Sequence, residues 1–289
     1  MKTASFLPRT IGVGICVLIP LISGCTAGDT RRREPMRSAM PVALPDRRAS
    51  GAFDPARGRE VALHDTFSEL RVGPGQPWGW KSGAYPGCVT NPGNFKLDAL
   101  SAKALRVSSG ALTITASQQR SQRWRTGLIT TGDSCGSGGR GFMVRTGDVI
   151  TARVKLPSTS AGAWPGIWTW RHGGNEIDLF EWHADRQDTL EFVNHPRRVW
   201  RYLSNSQLIQ AGRWMDVSVH LGERNVRWYV GIPPGKLRPV FSDKTGVGRR
   251  FAAYLVIGLS VDDGRLHAAP RSSSPFSFRV ASVTVHRPA

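Results

Sequence analysis

Glu176-Ile177-Asp178-Leu179-Phe180-Glu181 sets three acids inside one short apolar run. A carboxylate placed among Ile, Leu and Phe loses hydration, so three together call for a structural reason. On a helix, at about 100° per residue, Asp178 and Glu181 point about 200° and 140° away from Glu176, and no single acidic face results. On a strand, Glu176 and Asp178 share a face while Glu181 falls on the other. A β-bulge at Leu179 or Phe180 adds one residue and returns Glu181 to the side of the other two. The two glutamates then lie four strand steps apart, about 13 Å between Cα atoms. Side chains leaning inward close that gap toward the ~5–5.5 Å expected between the carboxyls of a retaining glycosidase. One carboxylate then attacks the anomeric carbon, and the other protonates the leaving oxygen and activates water. Asp178 holds a proton or hydrogen bond between them. The string alone also fits a half-exposed strand with an acidic outer face, so the flanking sequence decides.

Ahead of the acids stand Lys155-Leu156-Pro157 and Gly162-Ala163-Trp164-Pro165-Gly166-Ile167-Trp168-Thr169-Trp170. Behind them come Arg213-Trp214 and Arg227-Trp228-Tyr229-Val230-Gly231. Earlier, Leu112-Thr113-Ile114-Thr115-Ala116 alternates and leads to Thr126-Gly127-Leu128-Ile129-Thr130-Thr131. This order resembles glycoside hydrolase family 16, the laminarinase, lichenase, agarase and carrageenase group, over roughly residues 61–289. The resemblance implies Glu176 as nucleophile, Glu181 as general acid/base and Asp178 as helper carboxylate. Two departures touch the sugar subsites rather than the acids. Trp214-Met215 stands where many relatives have a His after the Trp, and Gly231-Ile232 replaces the Asp-Gly that often follows the Trp-Tyr-Val strand.

The 289-residue chain is long enough for a large core, and its 32 glycines, 19 prolines and β-branched runs point to an all-β fold. Strands are expected at Ala111–Ala116, Asp148–Leu156, Glu176–Glu181, Asp216–Leu221, Val226–Gly231, Tyr254–Ser260 and Ser277–His286. Turn clusters such as Pro233-Pro234-Gly235 and Asp262-Asp263-Gly264 separate them. Many short strands without a helical period make a two-sheet sandwich. The resemblance sharpens this to a concanavalin A-like jelly roll with a concave sugar-binding cleft.

Residues 1–25 read as a bacterial export signal: Lys2 and Arg9 precede an apolar stretch that ends in Ile22-Ser23-Gly24-Cys25. That ending resembles a lipobox, which makes Cys25 the expected site of lipidation and the membrane an expected partner. Residues 26–60 are basic, proline-containing and poor in apolar residues, as expected of a flexible linker. The remaining domain spans 61–289. Its two cysteines, Cys88 and Cys135, are expected to form a disulfide in an exported protein. No zinc-ligand spacing is present. The formal net charge of +18 draws the chain toward anionic polymers, but the arginines are scattered and match no nucleic-acid-binding motif.

Tryptophan supplies the sugar-binding candidates, because indole faces stack on the C–H faces of sugar rings. Trp164 and Trp168 share parity on the strand before the acids, and Trp200 follows Asn194-His195-Pro196, where a loop overhanging the substrate is expected. Trp182 points into the core. His195 ends the apolar run Leu190–Val193 and is a candidate sugar contact by the resemblance; His183 shares parity with Glu181. No cofactor is expected. Relatives often hold a structural calcium ion, but no dense Asp/Asn loop marks a site here.

The expectation is therefore an exported, monomeric, retaining endo-glycoside hydrolase of polysaccharide, with β-1,3- or mixed-linkage glucan first. A charged galactan hydrolase, a transglycosylase and a non-catalytic glycan-binding lipoprotein are the alternatives.

Overall fold

The computed structural model describes residues 54–289, so the export signal, Cys25 and most of the expected linker lie outside the described residues. Among the described residues the only helical elements are four three-residue 3₁₀ turns. In chain order the strands are β1 (Arg59–Asp65), β2 (Asp98–Leu100), β3 (Leu105–Val107), β4 (Leu112–Gln118), β5 (Trp124–Thr126) and β6 (Leu128–Thr130). Then come β7 (Met143–Arg145), β8 (Val149–Lys155), β9 (Ala163–Trp170), β10 (Ile177–Trp182), β11 (Thr189–Asn194) and β12 (Val199–Ser204). The last are β13 (Trp214–Leu221), β14 (Val226–Gly231), β15 (Arg238–Asp243), β16 (Ala252–Val261) and β17 (Phe276–Pro288). Every strand expected from sequence is present, with ends shifted by one or two residues. The short β2, β3, β5, β6 and β7 were too brief to show a period.

Two sheets result. The larger runs β15-β14-β13-β8-β17-β4-β5-β2, with β1 on β17 and β3 on β4; the smaller runs β12-β11-β10-β9-β16-β6, with β7 on β16. Each strand alternates, so one side of each sheet is apolar and the two sides close on each other. Ile150, Ala152 and Val154 of β8 and Val217 and Val219 of β13 meet Ile167 of β9, Leu179 and Phe180 of β10, and Leu255 and Ile257 of β16. The architecture is the expected jelly-roll sandwich. Among the described residues no helix is long and apolar enough to cross a membrane.

Residues 80–100 lie against the outer face of the smaller sheet. Tyr85 and Leu100 from this segment bury against Leu128 and Val256, with Trp168 and Trp170 packed alongside. The Cys88–Cys135 disulfide ties the segment to the loop after β6, with the two Cα atoms 6.2 Å apart. This cover reaches β6, β16 and β9; the acids lie beyond it, at β10.

Candidate active site

The bulge is in β10. Against β11, Asp178 pairs with Val193 but Glu181 pairs with Glu191, so three steps on one strand match two on the other. Against β9, Asp178 pairs with Trp168 and Phe180 with Ile167, which puts the extra residue at Leu179. Leu179 and Phe180 are consecutive yet both wholly buried in the sandwich core. Glu181 consequently returns to the outer face. A bulge leaves ladder groups unpaired. Here the Asp178 carbonyl accepts a hydrogen bond from Trp228 Nε1 of the opposite sheet at 2.8 Å. Upstream, Thr169 Oγ1 accepts from the Ile177 backbone N–H at 2.9 Å and donates to the Asn175 carbonyl at 2.7 Å, which anchors the entry to β10 just after Glu176. Glu176 itself precedes the regular strand, and its carbonyl accepts from the His195 N–H at 3.2 Å.

Cross-strand partners share a face, so the register lays out the site in rows. One row runs Trp200–Val193–Asp178–Trp168–Val256, and the next runs Tyr202–Glu191–Glu181–Gly166–Gly258. The two glycines make a seat for the Trp168 indole. A Cβ on Gly258 would stand 3.1 Å from its Cη2, and one on Gly166 would stand 3.8 Å from its Cε3. Trp168 is half-buried on the acid-bearing face, as expected. Trp164 is on that face too, but it departs from the expected stacking role. Only 3% of it is exposed, because Lys96 Nζ stands 4.2 Å from the ring centre and the His183 ring 4.7 Å from it. What Trp164 offers instead is its Nε1–H, which donates to Glu181 Oε1 at 2.9 Å. Trp200 is also corrected: it lies on β12 rather than in an overhanging loop. The turn after Asn194 spans only His195–Arg197, and Trp200 then pairs with Val193 and sets its ring 5.8 Å from that of His195, edge to face.

His195 closes the acidic row. Its Nε2 lies 3.0 Å from Asp178 Oδ2 and 3.8 Å from Glu176 Oε1. Burial pulls the imidazole pKa down, but the Asp178 charge and hydrogen bond, with Glu176 and Glu181 behind them, outweigh it and hold the group up at about 9. At neutral pH His195 is thus an imidazolium that donates to Asp178. Asp178 is 2% exposed, so this pair meets the demand that a buried charge be compensated. Glu176, Asp178 and His195 bring one ligand atom each within 4.8 Å of one another, a spacing that would also admit a metal ion. The donor set matches a structural hydrogen bond equally well, and the same lone pairs serve it.

His183 is buried behind Trp164. Its Nδ1 lies 3.1 Å from Asp262 Oδ2, and its ring stacks on His267 at 3.5 Å. Trp182 is in the core, as expected, its Nε1 donating to the Gln187 carbonyl at 3.2 Å. Sequence reasoning passed over Lys96 and Tyr85. Lys96 Nζ lies within cation–π range of Trp164, Tyr85 and Trp168, and the Tyr85 hydroxyl donates to Asp98 Oδ2 at 2.8 Å. Both come from the aperiodic 80–100 segment, which carries no signal of where it folds back. Trp170, inside the Trp-rich strand, carries no separate signal in the sequence. Its Nε1 donates to Asp133 Oδ2 at 3.0 Å beside Tyr254, in line with Trp168.

No family model and no curated protein matches the chain by sequence. Solved structures do match by shape. An endo-β-1,3-glucanase from Pyrococcus furiosus superposes with a TM-score of 0.63 at 16% identity, over 79% of this chain and 94% of that one. SCLam, a non-specific endo-β-1,3(4)-glucanase from family GH16, superposes at 0.59 and 17% identity, over 86% and 95%. An immunostimulatory antigen and pseudo β-1,3-glucanase of Mycobacterium tuberculosis superposes at 0.57 and 18% identity, over 78% and 98%. With its bulged β10 and the two sheets in this order, the chain has the fold of the glycoside hydrolase family 16 glucanases.

Proposed function

We propose that this chain is a retaining endo-glycoside hydrolase, with β-1,3- or mixed-linkage β-glucan as its first substrate. The observation that carries the reading is the bulge at Leu179, which turns Glu181 out of the core to join Asp178 on the open face beside Glu176. Glu176 is the nucleophile: its carboxylate oxygen bonds to the anomeric carbon as the glycosidic C–O bond breaks. Glu181 gives its proton to the departing oxygen, then takes one from the water that cleaves the glycosyl-enzyme. Trp164 Nε1–H fixes the Glu181 carboxyl from one side. The His195 imidazolium places one positive charge among three acids, which limits repulsion around Glu176. Trp168, seated on Gly166 and Gly258, is the sugar platform.

A second substrate class is favoured by charge. The formal net charge of +18 suits a glycan bearing acidic groups, such as a charged galactan, whereas Lys96 is itself buried against Trp164. Release of reducing ends from laminarin, lichenan, agarose and carrageenan separates these readings. Product from the first two supports the glucanase, and product from carrageenan alone supports the charged substrate. Binding without product from any of the four would make the chain a glycan-binding protein, the reading closest to the name of the mycobacterial relative.

A further inference from the structure

The sheet that carries none of the candidate catalytic acids has a recess of its own. At one end of the larger sheet, Trp214 of β13 pairs with Lys155 of β8, and Lys155 pairs with Arg279 of β17. Cross-strand partners share a face, and this face is the outer one: Val154 and Val280, next in sequence, are wholly buried, whereas Lys155 and Arg279 are half-exposed. A cavity of about 300 Å³ opens beside the row, lined among others by Lys155, Ser158, Pro275, Phe276, Ser277 and Arg279.

Among the described residues neither cation has a carboxylate partner. Arg279 Nη2 donates to the carbonyl of Ser108 at 2.8 Å, its guanidinium lies 5.5 Å from the Trp214 ring centre, and its Nε is buried with no hydrogen-bond partner. Lys155 takes part in no ion pair among the described residues. The carboxylate on the neighbouring row, Asp216, is held in two hydrogen bonds by Arg153 at 2.8 and 3.0 Å. Two cations sharing a recess repel each other, and a partly buried guanidinium N–H without an acceptor carries a desolvation cost. An anion between them relieves both.

We infer that this recess binds the acidic group, a carboxylate or sulfate ester, of a polysaccharide chain. The volume admits one sugar ring with its substituent. Two serine hydroxyls, a proline and a phenylalanine supply the mixed polar and apolar wall that a sugar ring uses. The loop from Val261 to Phe276 borders this recess through Pro275 and also carries His267, which lines the hollow beside Glu181. One loop therefore reaches both the candidate active site and the recess. The inference concerns binding and stands apart from turnover at the bulge.

Affinity electrophoresis of the full chain through gels containing polygalacturonate or dextran sulfate tests it, with neutral dextran as the blank. Wild type is retarded by both acidic polymers and not by dextran. Lys155→Glu weakens that retention about tenfold or more, the loss expected of one charge-assisted contact turned repulsive, and Lys155→Gln lies between. Lys244 is exposed and follows Asp243, at the far end of the same sheet. Lys244→Glu makes the same charge change there and alters retention less than about twofold. Product release from a soluble glucan is unchanged in Lys155→Glu. Equal losses in the Lys155 and Lys244 variants would assign retention to the general +18 field and overturn the site, as would a wild type that runs alike in all three gels.

Discussion

Replacing His195 by Gln removes a cation in contact with Asp178, and its consequence for stability is set by the charge state of the imidazole. In the unfolded chain His195 releases its proton near its ordinary value of 6.5, whereas in the fold it holds the proton to about 9. Because the folded value is the higher one, the contribution to stability is complete below about 6.5 and is lost as pH rises through 9. A rise from 6.5 to about 9 is worth about 3 kcal/mol at ~1.36 kcal/mol per pH unit. The side chain is 26% exposed, and solvent screening lowers the figure to about 2 kcal/mol. Urea unfolding of the full chain at about pH 6 and about pH 9.5 reads the effect. Wild type loses about 2 kcal/mol more across that interval than His195→Gln, and the comparison cancels groups that titrate alike in both. Parallel pH dependences in the two proteins would refute the reasoning.

Other consequences follow from single contacts. Trp164→Phe keeps an aromatic ring, though a smaller one, but deletes the N–H on Glu181 Oε1. It lowers kcat about tenfold to a hundredfold with KM little changed, as steady-state kinetics on the accepted glucan would show. Reducing the Cys88–Cys135 bridge frees a loop of 47 residues. By loop entropy this costs about 4 kcal/mol, measured as a lower urea midpoint under reductant or in Cys88→Ser. Labelling with a radioactive fatty acid in cells is expected to depend on Cys25, and label that survives Cys25→Ser would contradict lipid attachment there.

Much of this arrangement was legible in the residues. Parity showed that gathering the three acids on one face takes an extra residue between Asp178 and Glu181, and the flanking sequence, not the string alone, favoured that bulge. The even spacing of Trp164 and Trp168 placed both on the acid-bearing face. Exposure was not legible for Trp164, because Lys96 and His183, which cover it, come from a loop and from the residue just past the end of β10. Parity states a direction but not what other segments bring there. Trp200 was misplaced because Pro196 signalled a loop, yet the chain turns within three residues and Arg198, at φ 54°, sends it straight back into β12. The role of Trp228 as donor to the bulge carbonyl lies on the other sheet and depends on packing distance that no local pattern encodes.

The central claim is that the bulged segment performs displacement chemistry, and trapping the covalent intermediate tests it most directly. A glucan oligosaccharide fluorinated at C2 of the reacting ring and carrying a good leaving group slows release of the sugar from the enzyme. Peptide mass spectrometry after brief incubation should find the added sugar on Glu176, and Glu176→Gln should carry none. Sugar attached to a different side chain would contradict the account, as would glucan turnover that persists in Glu176→Gln.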